Sequence, residues 1–130
     1  MRIAIPDFDK VETGREALPP GTYAATVTGC QVGKSKVKQT PQVEWEFTIN
    51  GPTHVGRRVW DNTFLSEKAL FTTKRLVVGV GAPFTPEGFN TEDCLGRRVT
   101  LVLGQEMMTD EAGNRKVSPN NTIDKITPLV

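Results

Sequence analysis

The chain has 130 residues, of which 37% are hydrophobic and 24% charged, and its formal net charge is +1. This composition predicts one soluble globular domain over residues 1–130 and excludes wholesale disorder. No run of about eighteen apolar residues is present, which excludes a membrane-spanning helix, and the N-terminus lacks the apolar segment of a signal peptide. We therefore expect a cytoplasmic protein with no membrane partner.

The first elements are a lead-in segment and a strand. Residues 1–20 mix charges with three prolines, and this lead-in is expected to be held down by three apolar residues: Ile3, Ile5 and Phe8. Residues 22–32 (TYAATVTGCQV) are rich in Thr, Val and Tyr, which predicts the first strand. Residues 33–41 (GKSKVKQTP) follow as a basic loop.

Residues 42–50 (QVEWEFTIN) give the clearest strand pattern in the chain. Successive side chains of a strand point to opposite faces, and here apolar and polar residues alternate, so the second strand has one apolar face. The residues predicted to fill the core are Val43, Trp45, Phe47 and Ile49. On the other face, Glu44 and Glu46 are interpreted as exposed strand carboxylates with no site around them.

The third strand, within residues 56–69 (GRRVWDNTFLSEKA), has no uniformly apolar face. One parity carries Val59, Asp61, Thr63 and Leu65, and the other carries Arg58, Trp60, Asn62 and Phe64. The second set can form a solvent-facing stacking platform, with a cation, two aromatic rings and a polar spacer. Alternatively, a β-bulge shifts the register and puts both aromatic residues in the core. The platform is our working hypothesis, and it leaves Asp61 in need of a partner.

A helix is predicted after the third strand. Ser66 is its expected N-cap, and Gly79 and Gly81 are expected to end it before Pro83. The apolar residues at helical spacing are Ala69, Leu70, Thr73, Leu76, Val77 and Val80. This face could plug one end of a barrel.

Two further strands complete the chain. Residues 97–107 predict a fourth strand, residues 108–114 a hairpin tip, and residues 115–129 a fifth strand broken at Pro119. The order of elements is that of the OB-fold, a mainly β, five-stranded Greek-key barrel with one helix between strands 3 and 4.

The chain offers little for catalysis or metal binding. Cys30 and Cys94 are too few and too far apart in sequence for a disulfide framework or a zinc site, which favours buried free thiols. His54 is the only histidine, so neither a histidine-based triad nor a multi-histidine metal site can be built. We expect no enzymatic activity and no cofactor or metal.

Basic residues fall at three places that an OB barrel would bring together: the loop between strands 1 and 2, the start of strand 3, and the loop between strands 4 and 5. Oligonucleotides lie across the strand 2–3 face of this fold, between those loops. Unpaired bases stack on aromatic side chains, and cations follow the phosphates. The predicted residues for binding single-stranded DNA are Lys34, Lys36, Lys38, Arg57, Arg58, Trp60, Asn62, Phe64, Arg115 and Lys116.

Three stretches, LPPGTYAATV, GRRVWDNTFLSEKAL and CLGRRVTLVLG, resemble phage-encoded single-stranded-DNA-binding proteins, an OB-fold family found beside phage recombination and replication genes. The resemblance spans about residues 17–117. It implies binding of single-stranded DNA without sequence specificity, in phage replication, recombination or repair, within an infected or lysogenic bacterium. Many such proteins recruit partners through an acidic C-terminal tail, whereas this chain ends TIDKITPLV, so recruitment of that kind is not expected.

An alternative from another class is a protein-interaction module, an OB-like barrel that scaffolds a phage replication or recombination complex and binds DNA weakly. Replication or recombination proteins are the expected protein partners in either case. The sequence leaves the oligomeric state open, with a dimer among the options.

Overall fold

The computed structural model describes residues 1–6, 16–36 and 38–129. Five strands and one α-helix follow in the predicted order. The strands are β1 (Gly21–Lys34), β2 (Pro41–Gly51), β3 (Arg58–Phe64), β4 (Arg98–Thr109) and β5 (Arg115–Pro128). Helix α1 (Leu70–Val80) lies between β3 and β4, with short 3-10 turns at Glu67–Ala69 and Thr91–Cys94. None of the helices in these three segments is long and apolar enough to cross a membrane.

The strands form one sheet in the order β3-β2-β1-β4-β5, and every neighbouring pair is antiparallel. In its backbone pairing the sheet is therefore open, with β3 and β5 at its two edges. These edge strands nevertheless contact each other, and α1 packs against both of them. The domain is thus a mainly β fold with a curved five-stranded antiparallel sheet and one helix.

The predicted core face of β2 is confirmed. Val43, Trp45, Phe47 and Ile49 are all buried, together with apolar residues of β1, β4 and α1. Two threonines in this core are satisfied by each other and by their neighbours. Trp45 Nε1 donates to Thr63 Oγ1 at 2.9 Å, and the Thr73 hydroxyl of α1 lies 2.9 Å from the same oxygen. The helix is thereby tied to β3 through buried polar groups that all have partners.

The register of β3 decides between the two interpretations of this strand. Phe47 pairs with Val59 and Glu46 with Trp60, without a register shift. Val59 and Thr63 are consequently buried, Asp61 is half-buried, and the alternate set is exposed. The predicted parity is confirmed, and no bulge moves Trp60 into the core.

The lead-in segment is held differently from the prediction. Ile3 and Ile5 are exposed, and Phe8 lies outside the described residues. The buried anchor is Leu18, whose N–H donates to Asn121 Oδ1 and whose carbonyl accepts from Asn121 Nδ2, both at 2.9 Å. Just before it, the carbonyl of Glu16 accepts a hydrogen bond from the Arg57 guanidinium. Residues 16–18 therefore bridge the two edges of the sheet.

The ends of α1 also differ in part from the prediction. Ser66 precedes the 3-10 turn without a side-chain capping hydrogen bond, and α1 begins only at Leu70. Gly79 does not end the helix: it lies within it, buried where a Cβ would collide with Ile126 of β5. Gly81 has a φ of 76° and closes the helix as predicted. At Pro119 the fifth strand is not broken, although its pairing with β4 shifts register there.

Candidate nucleic-acid interface

The solvent side of β1, β2 and β3, hereafter the outer face, carries the predicted stacking platform. Cross-strand pairing sets each exposed residue of β3 beside a residue of β2 on this face. The four pairs are Arg58 with Thr48, Trp60 with Glu46, Asn62 with Glu44, and Phe64 with Gln42. The platform is therefore one side of a surface whose other side is polar and acidic.

The two platform aromatics are accessible to a ligand. Trp60 is 54% exposed and Phe64 38%, whereas Trp45 on the opposite side of the sheet is 1% exposed. Four residues along a strand separate the two rings by about 13 Å. This distance exceeds the 3.4 Å rise of a duplex strand, so the rings suit two non-adjacent bases of an extended strand.

Glu46 contacts three neighbouring side chains on the outer face. Its carboxylate accepts from Thr28 Oγ1 at 2.8 Å and from Trp60 Nε1 at 3.3 Å. The guanidinium of Arg58 forms an ion pair with it at 3.8 Å. Glu46 therefore fixes the edge of the Trp60 ring and holds a neighbouring cation, which makes it part of the platform rather than an isolated surface carboxylate.

Glu44 is held just as closely, but by amides. Gln31 Nε2 donates to its Oε1 at 3.0 Å and Gln42 Nε2 to its Oε2 at 3.1 Å. The hydrogen bonds from Gln31 and Gln42 lower the pKa of this carboxyl below its usual value. Glu44 thus presents a fixed negative charge beside Asn62 on the outer face.

Two glycines of β1 leave room for these carboxylates. A Cβ at Gly29 would lie 2.9 Å from the Cβ of Glu46, and a Cβ at Gly33 would lie 2.6 Å from Oε2 of Glu44. Both distances are too short for a carbon contact, so a side chain at either glycine would displace the neighbouring glutamate. The two glycines therefore leave the space that both glutamates occupy on the outer face.

The sequence analysis did not predict that Glu44 and Glu46 lie beside Asn62 and Trp60. Alternation placed the two glutamates on the face opposite the core, but their neighbours on that face depend on strand pairing. If β2 and β3 had been paired as an antiparallel hairpin with the connection 52–57, these neighbours would have followed, since partners in such a pair lie side by side on one face.

The predicted lysines lie at one end of the outer face. Lys34 ends β1, Lys36 and Lys38 lie in the connection to β2, and all three are exposed. Gly33 pairs with Gln42, which in turn pairs with Phe64. The loop therefore lies beyond the Phe64 end of the platform.

The predicted arginines and the last lysine lie toward the other end. Arg58 is exposed, whereas Arg57 is half-buried and donates to the carbonyl of Glu16. Lys116 lines a shallow cavity together with Glu16, the residue whose carbonyl accepts from Arg57. Arg115 is exposed one residue nearer the tip of the β4–β5 hairpin.

The remaining chemistry-bearing groups lie elsewhere. Cys30 and Cys94 are both free and buried, as predicted, and although far apart in sequence they are neighbours in space. The hydrogen bond with the Cys94 thiol, together with burial, raises the pKa of Cys30 above its ordinary value. Within residues 1–6, 16–36 and 38–129, no group of three or more His, Cys, Asp or Glu side chains could hold a metal ion.

No curated protein matches the chain. Residues 6–116 match the family described as "Protein of unknown function (DUF669)". Because this match covers most of the 130 residues, the chain belongs to the DUF669 family.

Proposed function

We propose that the protein binds single-stranded DNA across its outer face, without sequence specificity and without catalysis. The observation that carries the proposal is the exposed pair Trp60 and Phe64 on an otherwise polar strand face. Large aromatic side chains are more often buried than displayed. Two of them in line, with basic groups beyond both ends, have the composition of a surface that stacks unpaired bases and follows their phosphates.

We propose further that the sheet is the partly open barrel of an OB-fold. The strand order β3-β2-β1-β4-β5, the contact between β3 and β5, and the helix between β3 and β4 support this assignment. In that fold, oligonucleotides cross the face of strands 2 and 3 between two loops. The outer face and the two basic ends described above correspond to that arrangement.

Simple energetics favour single strands over duplex. Each stacked base contributes about 1–3 kcal/mol, so Trp60 and Phe64 together contribute roughly 2–6 kcal/mol. A duplex cannot offer its base faces to either ring. Glu44 and Glu46 repel phosphates, so the phosphate backbone is expected to run along the basic ends and the β3 edge rather than over β2.

The resemblance to phage single-stranded-DNA-binding proteins suggests the biological setting. On this proposal the protein protects or organises single strands during phage replication, recombination or repair, in the cytoplasm of a bacterial host. Replication or recombination proteins would be its protein partners.

A second candidate function is that of a protein-interaction scaffold. A groove of about 790 Å³ between α1 and residues 84–91 favours it, because apolar residues such as Leu70, Phe84 and Phe89 line it. Exposed apolar surface of this kind is a common feature of protein-binding sites. In this alternative, DNA binding is weak and the groove carries the function.

A competition experiment tests the proposal. A labelled mixed-sequence single strand bound to the protein is challenged with the same unlabelled strand or with its duplex. We expect the single strand to compete much better than the duplex. Equal competition by single strand and duplex would mean that the outer face binds DNA only as a generic basic surface. An absence of DNA binding would favour the protein-interaction scaffold.

A further inference from the structure

A position for one base lies between the two platform rings. Asn62 is midway between Trp60 and Phe64, about 6–7 Å along the strand from each. Its partner across the pair is Glu44 of β2. A base that lies between the bases stacked on the two rings would therefore meet an exposed amide and a carboxylate.

The carboxylate at this position is a fixed hydrogen-bond acceptor. A carboxylate has about four lone-pair sites, and the amides of Gln31 and Gln42 use one on each oxygen of Glu44. Each oxygen keeps capacity for a further donor. Gln42 is itself buried, and the absence of a side chain at Gly33 leaves the space that the carboxylate occupies. The acceptor is therefore oriented by the two glutamine amides.

Glu46 differs from Glu44 because a cation offsets part of its charge. Arg58 forms an ion pair with its Oε1, Thr28 donates to the same oxygen, and Trp60 donates to Oε2. It acts as a positioning residue for the Trp60 ring. Discrimination between bases thus falls to Glu44.

We infer, on the basis of the single-strand binding proposed above, that Glu44 makes the outer face prefer bases with an exocyclic amine. Cytosine presents its N4 amine as a donor, whereas uracil and thymine present the O4 carbonyl at the same place. A carboxylate accepts from the amine and repels the carbonyl, and the N3–H donor of unpaired uracil or thymine lies between two carbonyls that both oppose its approach. Adenine carries an N6 amine and guanine an N2 amine, so the face discriminates against thymine and uracil without reading a sequence.

Asn62 does not share this selectivity. Its amide can turn to present either a donor or an acceptor, so it tolerates any base edge. The charge of Glu44 weakens binding of every strand and weakens it least for strands rich in amines.

The test compares oligo(dC) with oligo(dU) of equal length, at slightly alkaline pH where cytosine is not protonated. These bases are the same size and differ chiefly in the amine. We expect wild-type protein to bind oligo(dC) roughly tenfold more tightly, as one good base-edge contact provides. Glu44→Gln should bring the two affinities within about twofold, mainly by strengthening oligo(dU) binding, because an amide can donate to O4.

Two further variants keep the result interpretable. Glu44→Ala removes the acceptor without adding a donor and should also abolish the preference, which covers the case in which Glu44→Gln folds poorly. Glu92→Gln removes an exposed carboxylate from the Thr91–Cys94 turn and should preserve it. Equal wild-type binding of the two oligonucleotides, or a preference that survives in both Glu44 variants, overturns the inference alone. Binding of neither oligonucleotide overturns the proposed function and the inference with it.

Discussion

Trp45 and Trp60 occupy neighbouring strands, one step apart in the pairing register, and face opposite sides of the same sheet. Inside, the Trp45 ring lies nearly parallel to Phe47, with 6.3 Å between centroids, and its N–H donates to the Thr63 hydroxyl. Outside, the Trp60 N–H donates to Glu46 and more than half of the side chain faces solvent. Residue type therefore does not distinguish a core aromatic from a solvent-exposed one, whereas the position along the strand and the polar partner do.

The two faces also treat carboxylates in opposite ways. On the inner side of β3, burial raises the pKa of Asp61 above its usual value, although the Asn62 backbone N–H and the Arg75 charge oppose the shift. On the outer face, hydrogen bonds from Gln31 and Gln42 lower the pKa of Glu44. The outer face is thus built to keep a negative charge, and the inner face is not.

The largest effect is expected from removing the inner tryptophan. Trp45→Ala should lower the free energy of unfolding by about 3–5 kcal/mol, because it empties a buried ring site and removes the donor to Thr63. Chemical denaturation measures the loss, and Trp45→Phe, which keeps most of the volume, should lose less. A loss below about 1 kcal/mol would contradict the assignment of Trp45 to the hydrophobic core.

The next effect concerns the basic loop at the Phe64 end. About four to six phosphate contacts, at about −0.7 each, give a slope of log affinity against log salt of roughly −3 to −4. Replacing Lys34, Lys36 and Lys38 together with alanine should flatten it by about 2. The control replaces Lys68 and Lys74, which are exposed beside and on α1, and should leave the slope nearly unchanged. An equal change of the slope in both variants would mean that the basic loop makes no specific contact with the DNA.

Removing an outer aromatic should affect binding instead of folding. Trp60→Ala and Phe64→Ala should each weaken single-strand binding by about 1–3 kcal/mol, and each should change the free energy of unfolding much less than Trp45→Ala. Phe71→Ala is the matched control, because Phe71 is 71% exposed on α1 and not on the sheet. Titrations and thermal melts on the three variants separate the two effects. Comparable loss of affinity in Phe71→Ala would contradict a specific stacking site.

The smallest effect distinguishes the carboxylates of the two faces. The folded protein binds the Asp61 proton more tightly than the unfolded chain does, so ionisation of Asp61 costs stability. That cost is absent below the usual pKa of 3.8 and grows as the pH rises through the raised value. Asp61→Asn should therefore be slightly more stable than wild type at neutral pH, with the difference vanishing in acid. A less stable variant at neutral pH would show that the Arg75 charge outweighs burial.

Local patterns predicted much of this fold. The alternation of apolar and polar residues in 42–50 predicted the core face of β2. Segments rich in strand-forming residues, separated by turn residues, predicted the order of the elements. For β3 the pattern was ambiguous, since Asp61 and Thr63 share the inner parity with Val59. The structure resolves it through contacts between elements: Thr73 of α1 and Trp45 satisfy Thr63.

Long-range contacts account for what the sequence could not predict. Leu18 is fixed by Asn121, 103 residues away, and no local pattern distinguishes it from Ile3 or Ile5 as the anchor of the lead-in. Likewise, the position of Glu46 beside Trp60 depends on register, because a slip of one residue would send the pair to opposite faces. Helix α1 begins at Leu70, and not directly after the predicted N-cap Ser66, because a 3-10 turn intervenes.

Tryptophan fluorescence during titration with a single strand tests the central claim, that DNA binds the outer face, most directly. The chain has two tryptophans, one on each face, so the signal has only two sources. We predict quenching on DNA binding that is largely lost in Trp60→Phe and retained in Trp45→Phe. Quenching that is retained in Trp60→Phe and lost in Trp45→Phe would contradict the account and assign the DNA to the side of the sheet that carries Trp45 and Phe47.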